Sequence, residues 1–321
     1  MTKMNAAVVT SFAEPPHYRQ FELPVPSGDE VLADVLAAGL HPRVRSGATG
    51  AHYTSSGTLP MIPGVDGVGR LPDGKVVYFA SDNDVLGSMA DKALVDPRRT
   101  VELPAGTDVA KVAAAMNPAM SSWVALRRRV PLQPGQSVLI LGATGNAGAM
   151  AVQVARRLGA GRVVGAGRDP GRLRALIPAG ADEVVQLTDD AEANKAALSA
   201  AAAETDIVVD YLWGQPARQA MTALVTARSD RSRLLDWIQI GSIAGAEIEL
   251  PSALLRKANF RVQGSGQGSV SPRGYVAELP ALVKEISAGT IAVQARPVPL
   301  AEVEQAWTAK ENPGERTVLL P

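Results

Sequence analysis

A glycine-rich turn at residues 142–148 is the part of the sequence whose residue types point most directly to ligand chemistry. It lies between the apolar run 137–141, typical of a buried strand, and a helical pattern over 146–158. Gly145 would let the backbone approach a dinucleotide pyrophosphate, Gly148 would let the helix pack closely on the strand, and the helix N-terminus offers N–H groups to the phosphates. A tight strand–helix connection without a ligand uses similar glycines, so the turn alone leaves both interpretations open. The residues predicted to hold the pyrophosphate are Gly142, Ala143, Thr144, Gly145, Asn146, Ala147 and Gly148.

The end of the following strand bears on the choice between NAD and NADP. An NAD enzyme places an acidic residue at this tip to bind the ribose 2′-hydroxyl, whereas here Gly167 is followed by Arg168. A small residue and a guanidinium leave room for a 2′-phosphate and can pair with it, and Arg172 lies one helical turn further on. Asp169 is the alternative ribose ligand, but it is better suited to cap a helix that begins at Pro170. The sequence therefore favours NADP(H).

Three further strand ends are predicted to face the same crevice, because ligands of parallel α/β sheets bind outside the carboxyl ends of the strands. Ordinary turn chemistry would also account for their glycines. The candidate residues are Tyr211 after one strand, Gly241, Ser242 and Ile243 after the next, and Gly264, Ser265 and Gly266 after the last.

Composition narrows the class of protein. The 321 residues are 46% hydrophobic and 20% charged, as in a globular protein of two ordinary domains. Lysine plus arginine and aspartate plus glutamate both total 32, so the formal net charge is zero and no nucleic-acid partner is expected. The basic run 127–129 is expected at a solvated helix end. Neither a signal peptide nor a long apolar run is evident, so we expect no membrane association and a cytoplasmic location.

The side chains available for metal binding are few. The sequence contains no cysteine, which removes disulfides, thiol nucleophiles and thiolate-ligated metals. Its histidines are His17, His41 and His52. A zinc site built from His41, His52 and Asp66 is conceivable but disfavoured, so we expect no metal.

The elements that position these residues fall into two regions and a tail. Residues 1–119 contain short strands separated by proline and glycine, which favours an antiparallel β unit, whereas strand and helix patterns alternate over 120–267, as a doubly wound parallel sheet requires. The predicted strands of the second region are 137–141, 162–166, 183–187, 206–210, 235–240 and 260–263, with helices at 146–158, 170–179, 190–203, 215–227 and 251–257. The returning segment, 268–321, is predicted to contain a helix at 276–288, a strand near 292–294, a short helix near 301–309 and a strand at 316–320.

Two large dehydrogenase families share such a glycine turn. A short-chain dehydrogenase needs a Tyr-x-x-x-Lys pair, and none of the five tyrosines has a lysine four residues later. Those enzymes also usually carry the turn near the N-terminus rather than beyond residue 140. That family is therefore disfavoured.

The order of a β-rich domain, a Rossmann domain and a returning segment resembles the medium-chain dehydrogenase/reductase superfamily. The stretches that carry the resemblance are Gly28–Leu32 with Ala38–Pro42, the segment P-G-V-D-G-V-G at 63–69, the helix from Asn117 to Leu126, and the approach to the first Rossmann strand at 132–140. The branch it resembles is the zinc-independent quinone oxidoreductases. The resemblance implies an α/β protein with a GroES-like β-rich catalytic domain, a Rossmann six-stranded parallel sheet, and Asn117 among the cofactor-binding residues.

The resemblance also implies a catalytic region around Pro42. The residue before this proline faces the nicotinamide in the family, where it is usually asparagine, and here it is His41. Tyr53 is placed like the tyrosine that related enoyl reductases use near the substrate. Either side chain suits a proton donor, while a turn-stabilising histidine and a rim tyrosine are the alternatives. The family's aspartate three residues after its asparagine is Val44 here, which weakens the transfer of catalytic detail.

The predicted function is metal-free hydride transfer from NADPH to a small electrophile, a quinone or an α,β-unsaturated carbonyl. One alternative is an enoyl-thioester reductase that uses Tyr53 as its proton donor, and another is a non-catalytic NADPH-binding redox sensor. The resemblance further suggests a homodimer joined through the last Rossmann strand, around residues 260–263.

Overall fold

The computed structural model describes residues 2–81, 83–312 and 314–321. It divides into two units, one formed by Met1–Pro118 with Val276–Pro321 and the other by Ala119–Tyr275. Within the described ranges, no helix combines the length and the apolar character needed to cross a membrane.

The elements alternate with short turns along the chain. The strands are β1 (Lys3–Val8), β2 (His17–Glu22), β3 (Val31–Gly39), β4 (Asp66–Arg70), β5 (Val76–Ala80), β6 (Lys92–Val95), β7 (Thr100–Glu102), β8 (Ser137–Leu141), β9 (Arg162–Gly167), β10 (Glu183–Gln186), β11 (Ile207–Asp210), β12 (Leu235–Gln239), β13 (Phe260–Gly264), β14 (Gln294–Pro299) and β15 (Glu315–Leu320). The helices are α1 (Pro42–Ala48), α2 (Val109–Val124), α3 (Asn146–Arg157), α4 (Pro170–Leu176), α5 (Ala191–Ala202), α6 (Gly214–Ala227), α7 (Ser252–Lys257), α8 (Pro272–Val276), α9 (Leu279–Ser287) and α10 (Val303–Thr308). A π-helical turn, Ala125–Arg129, extends α2, and 3₁₀ turns lie at Pro97–Arg99 and Leu300–Glu302.

The second unit is built on a parallel sheet with the strand order β10-β9-β8-β11-β12-β13. Its central strands are short apolar runs, because helices cover both faces of such a sheet. Leu139, Val208 and Trp237 from three of these strands are fully buried and pack with α5 and α6. The order reverses between β8 and β11, which is the switch point where ligands of this architecture bind. The predicted six-stranded doubly wound sheet is confirmed.

The first unit contains a sheet of order β14-β15-β3-β4-β5-β7, with β6 also paired to β3, and a separate β1–β2 pair. Neighbouring strands are antiparallel except β14 and β15, which run parallel. Buried side chains such as Val8, Leu40, Ile62 and Met89 form one core of this unit.

Two features of the returning segment differ from the sequence prediction. β14 covers Gln294–Pro299 rather than 292–294, and Pro297 and Pro299 lie within it. Proline is tolerated there because β14 is an edge strand that pairs only with β15. The single helix predicted at 276–288 is replaced by α8 and α9.

The first unit places its candidate residues through a close contact at the end of β3. A Cβ atom on Gly39 would lie 2.5 Å from the carbonyl oxygen of Ala113 in α2, so only glycine fits at this position. The chain then turns at His41, the residue before α1, and Pro42 opens the helix with its fixed φ.

Candidate functional site

The glycine turn connects β8 to α3 in the arrangement that a pyrophosphate requires. The backbone N–H groups of Gly142 and Ala143 both donate to the carbonyl of Ala166 at 2.9 Å, which ties the turn to β9. A Cβ on Gly148 would lie 2.2 Å from the carbonyl oxygen of Gly142, so glycine is needed for the helix to approach the turn.

Gly145 has a different reason to be glycine. A Cβ there would meet nothing nearer than the Gly142 oxygen at 3.5 Å, so the protein's own packing does not demand it. Gly145, the residue that precedes α3, has no side chain with which to cap the helix, and the N-terminus of a helix is a favourable place for an anion. The turn therefore fits a dinucleotide: its helix N-terminus offers donors and its exposed glycine leaves room for the phosphates.

The residues at the end of β9 are arranged for the adenosine half of that ligand. Gly167 is buried, and a Cβ on it would lie 2.6 Å from the Thr144 side chain. Arg172 donates from Nη1 to the Thr144 carbonyl at 3.2 Å, while its buried Nε has no hydrogen-bond partner in the described ranges. Arg168 is exposed and forms no ion pair with another described residue.

Asp169 caps α4, as predicted. Its carboxylate accepts the backbone N–H of Arg172 at 2.9 Å, and this bond lowers the pKa of Asp169. Because the carboxylate is engaged in the cap, Arg168 and Arg172 are the side chains at this strand end that suit a 2′-phosphate.

The residues after β11 pack directly on the glycine turn. A Cβ on Gly142 would lie 3.2 Å from Cβ of Tyr211, and one on Gly241 would lie 2.7 Å from the Tyr211 carbonyl oxygen. The Tyr211 hydroxyl lies 2.9 Å from Oγ of Ser121, and burial raises the pKa of this phenol to about 12. The structure thus brings Gly142, Tyr211 and Gly241 together at the carboxyl edge of the sheet.

Asp210 holds this segment in place, a role that sequence reasoning missed. Its buried carboxylate accepts the N–H groups of Leu212 at 2.8 Å and Trp213 at 3.0 Å with one oxygen, and the Trp237 indole N–H at 3.0 Å with the other. Burial raises the pKa of Asp210. Trp213 adopts a φ of 53°, a strained conformation for a non-glycine residue, and the two bonds to Asp210 help to maintain it. An aspartate two residues before a turn is the local signal that could have been used.

The remaining strand-end candidates lie on two loops. After β12, Ser242 is exposed and Ile243 is 83% exposed, an unusual environment for isoleucine. After β13, Ser265 is buried, and Gly266 donates its N–H to Oγ of Ser269 at 2.9 Å.

Arg129 fixes the loop that follows β13. Its Nε donates to the carbonyl of Gly264 at 3.1 Å and its Nη1 to the carbonyl of Ser269 at 3.2 Å. The run 127–129 lies at the end of the helix, as expected: Arg127 and Arg128 are exposed there, and Arg129 is half-buried. The π-helical turn that carries it is a distortion that often occurs at functional sites.

In the first unit, His41 is 1% exposed and contacts other polar side chains. Its Nε2 lies 3.0 Å from Oδ1 of Asp66, whose Oδ2 accepts the hydroxyl of Tyr78 at 2.8 Å. Ser88 donates from Oγ to the backbone carbonyl of Asp66 at 2.6 Å. The sequence analysis placed Asp66 beside His41 only as a conceivable zinc ligand, and it did not select Tyr78, which follows His41 by 37 residues.

Tyr53 has a contrasting environment, with 71% of its surface exposed. Its ring centroid lies 4.3 Å from that of His52. His52 accepts the N–H of Thr54 through Nδ1 at 3.2 Å, and burial together with nearby Arg43 lowers its pKa to about 4. Asn117 is half-buried within α2.

The conceivable zinc ligands do not form a cluster. His41 contacts Asp66, whereas the Nδ1 atom of His52 lies 2.9 Å from the hydroxyl of Thr54. Across residues 2–81, 83–312 and 314–321, no group of three histidine or acidic side chains is arranged to hold a metal ion.

Relatives of this chain share its length and its fold. No family model matches the chain. It is 31% identical to the Emericella nidulans protein named "Probable NADPH-dependent quinone reductase tdiC", over 99% of this chain and 100% of that protein. It is 30% identical to the quinone oxidoreductase of Lama guanicoe over 59% of each chain.

Solved structures show the same architecture. The quinone oxidoreductase of Thermus thermophilus, also solved in complex with NADPH, superposes with a TM-score of 0.81 at 23% identity, over 99% of this chain and 100% of that one. The quinone oxidoreductase of Pseudomonas syringae pv. Tomato DC3000 gives a TM-score of 0.80 at 20% identity over the whole of both chains. The full-length relative and the shared fold agree with the resemblance found in the sequence: this chain belongs to the zinc-independent quinone oxidoreductase branch of the medium-chain dehydrogenase/reductase superfamily.

Proposed function

We propose that this protein is an NADPH-dependent reductase that transfers hydride, without a metal, to a quinone or an α,β-unsaturated carbonyl compound. The observation that carries the proposal is the glycine turn at the N-terminus of α3, where Gly145 is exposed and Gly148 packs against Gly142, with Arg168 and Arg172 at the end of the next strand. The full-length Emericella nidulans relative, whose name specifies NADPH and a quinone, supports the same choice.

The cofactor is held by the second unit in this proposal. The pyrophosphate lies on residues 142–148 and the 2′-phosphate on Arg168 and Arg172. The rest of the cofactor site is lined by Tyr211, residues 241–243 and residues 264–266. When bound, NADPH supplies the hydride. Electron-poor acceptors need less polarisation than alcohols or ketones do, so the protein's contribution is positioning and the exclusion of water.

The first unit provides the catalytic side chains in this proposal, and Asn117 contributes to the cofactor site. Hydride addition leaves a negative charge on the acceptor oxygen, which must take up a proton. His41 and Tyr53 are the proposed donors. Residues 1–119 and 268–321 correspond to the GroES-like catalytic domain and residues 120–267 to the Rossmann domain.

The proposed assembly is a homodimer in the cytoplasm, joined through β13. This strand lies at one edge of the parallel sheet. Asn259 and Ser265 both hydrogen bond toward β12, so Phe260 and Val262 direct their backbone groups away from it. An unpaired strand edge is suited to pairing with a second copy.

The direct test follows NADPH absorbance with 1,4-benzoquinone, a simple enone and crotonyl-CoA as acceptors. Oxidation with the first two is the expected result. Turnover confined to crotonyl-CoA would instead identify an enoyl-thioester reductase. Tight NADPH binding with no oxidation by any acceptor would favour a redox sensor.

A further inference from the structure

Three buried polar side chains meet inside the β-rich unit, one each from the start of α1, from β4 and from β5. His41, Asp66 and Tyr78 are 1%, 3% and 0% exposed. Each carboxylate oxygen of Asp66 receives one side-chain contact, from His41 Nε2 at 3.0 Å and from the Tyr78 hydroxyl at 2.8 Å. Buried polar groups at such positions are expected to be paired, and the carboxylate meets that expectation.

This geometry determines which imidazole nitrogen carries the proton. When Asp66 is ionised, its carboxylate can only accept hydrogen bonds, and Nε2 of His41 then carries the hydrogen that it shares with Asp66. The other nitrogen, Nδ1, is buried and has no hydrogen-bond partner in the described ranges. A histidine with a purely structural role would be expected to have both nitrogens satisfied.

The neighbouring charges leave Asp66 as the anion that faces His41. On β15, Arg316 donates from Nη1 to the carbonyl of Leu40 at 2.9 Å and pairs with Glu311 at 3.3 Å. Burial lowers the pKa of Arg316, and Glu311 opposes this effect. Arg45 of α1 donates to the carbonyl of Trp307 and lies over its ring.

We propose that Asp66 and Tyr78 are positioning residues for His41: the carboxylate orients the imidazole through Nε2, Tyr78 holds the carboxylate, and Nδ1 delivers the proton to the reduced acceptor. This inference deepens the proposed function and rests on it. It also gives a reason for histidine at a position where the family usually has asparagine, since an amide cannot exchange a proton in this way.

The proton transfer balances without a further reactant. The Nδ1–H bond of the imidazolium breaks and an O–H bond forms on the anionic acceptor, which leaves a neutral imidazole with its Nε2–H on Asp66. The imidazole then recovers a proton from solvent, so that one proton is consumed for each hydride transferred.

The first test is NMR of the protein without cofactor, labelled with ¹⁵N-histidine. Three histidines give three sets of ring signals, and the His41→Asn variant assigns one of them. At alkaline pH the His41 ring should be protonated on Nε2 only. A ring protonated on Nδ1, or a mixture of both tautomers, would overturn the inference.

The second test uses Asp66→Asn, which keeps the volume and an acceptor oxygen but removes the charge. We expect kcat to fall about 100-fold, as for loss of an effective general acid, while KM for NADPH stays the same. Tyr78→Phe removes the hydrogen bond to Asp66 but keeps the Asp66 carboxylate, and it should lower kcat about 10-fold. This variant replaces Asp66→Asn in the test if Asp66→Asn does not fold.

The control is His17→Gln, because His17 pairs with Glu304 at 3.0 Å and has no part in the proposed site. The kcat of this variant should match that of the wild type. Values of kcat within twofold of the wild type in folded Asp66→Asn and Tyr78→Phe would overturn this inference and leave the proposed function standing. Failure of the wild type to reduce any acceptor would overturn the proposed function, and the proton-delivery role with it. The tautomer measurement distinguishes these cases because it needs neither cofactor nor acceptor.

Discussion

Individual side chains decide cofactor choice in the proposed site. Arg168 is exposed and has no ion-pair partner in the described ranges, while Asp169 beside it is occupied as the cap of α4. A guanidinium in this position gains a charged hydrogen bond from a 2′-phosphate and nothing comparable from a hydroxyl.

Arg168→Ala should therefore weaken NADPH binding roughly 10- to 100-fold, the equivalent of one charge-assisted hydrogen bond, and leave NADH binding little changed. Titration of each nucleotide by fluorescence or calorimetry measures the two dissociation constants. Arg174→Ala, which removes an exposed arginine from the adjacent helix α4, is the matched control and should leave both dissociation constants unchanged. An equal loss for the two nucleotides would contradict the assignment of Arg168.

His52 gives the first unit a defined response to acid. Its pKa is lowered from 6.5 to about 4, first by burial and then by Arg43, so the folded protein binds fewer protons than the unfolded chain between these values. Stability contributed by neutral His52 is therefore present above pH 6.5 and is lost as the pH falls toward 4.

His52→Gln removes this titration, so the free energy of unfolding of the wild type should fall more steeply than that of the variant between pH 6.5 and pH 4. Urea unfolding at several pH values measures the difference, and NMR of the His52 ring measures the titration directly. A constant difference between the two proteins across this range would show that His52 is not the source of the pH dependence.

Strands and helices bring the candidate residues into contact. Those that have a local sequence pattern are the ones that the sequence predicts best. The Rossmann strands were found because each is a short apolar run with a turn at its end. The predicted position of β14 is wrong because Pro297 and Pro299 argue against a strand in sequence, whereas an edge strand tolerates them.

Long-range contacts of the candidate site were not predictable from such local patterns. Asp66 reaches His41 because β3, which ends just before His41, pairs with β4, and Tyr78 reaches Asp66 because β5 pairs with β4. Arg129 likewise contacts the carbonyl oxygens of Gly264 and Ser269, more than 130 residues away in sequence. These contacts depend on tertiary packing and carry no local sequence signal.

Two glycines between β8 and α3 allow an effect on stability to be distinguished from an effect on NADPH binding. Gly148→Ala places a Cβ 2.2 Å from the Gly142 oxygen, so the turn must shift, and the free energy of unfolding should fall by about 1–3 kcal/mol. Gly145→Ala meets nothing closer than 3.5 Å, so the stability should stay close to that of the wild type while NADPH affinity falls more than about 10-fold. Thermal unfolding and NADPH titration report the two effects. Unchanged NADPH affinity in Gly145→Ala would count against a pyrophosphate at this turn.

At the scale of the whole molecule, the edge strand β13 predicts the oligomeric state. Val262→Pro removes an N–H that points away from β12, so it should prevent strand pairing between two copies while leaving the ladder to β12 intact. Light scattering after size exclusion should give twice the chain mass for the wild type and for Val262→Ala, and a single chain mass for Val262→Pro. A monomeric wild type at micromolar concentration would contradict the proposed dimer.

The hydrogen bond between Asp210 and Trp237 gives this protein an intrinsic optical probe. The Trp237 indole is fully buried, its N–H donates to the same carboxylate that holds Leu212 and Trp213, and Phe260 of β13 packs edge-on against it at 6.2 Å. Its emission should therefore be blue-shifted in the folded protein. A change of the 210–214 segment, whether from dinucleotide binding or from substitution, would perturb the electric field at this indole. The contribution of Trp237 to the emission of the four tryptophans would then report on that segment without any added label.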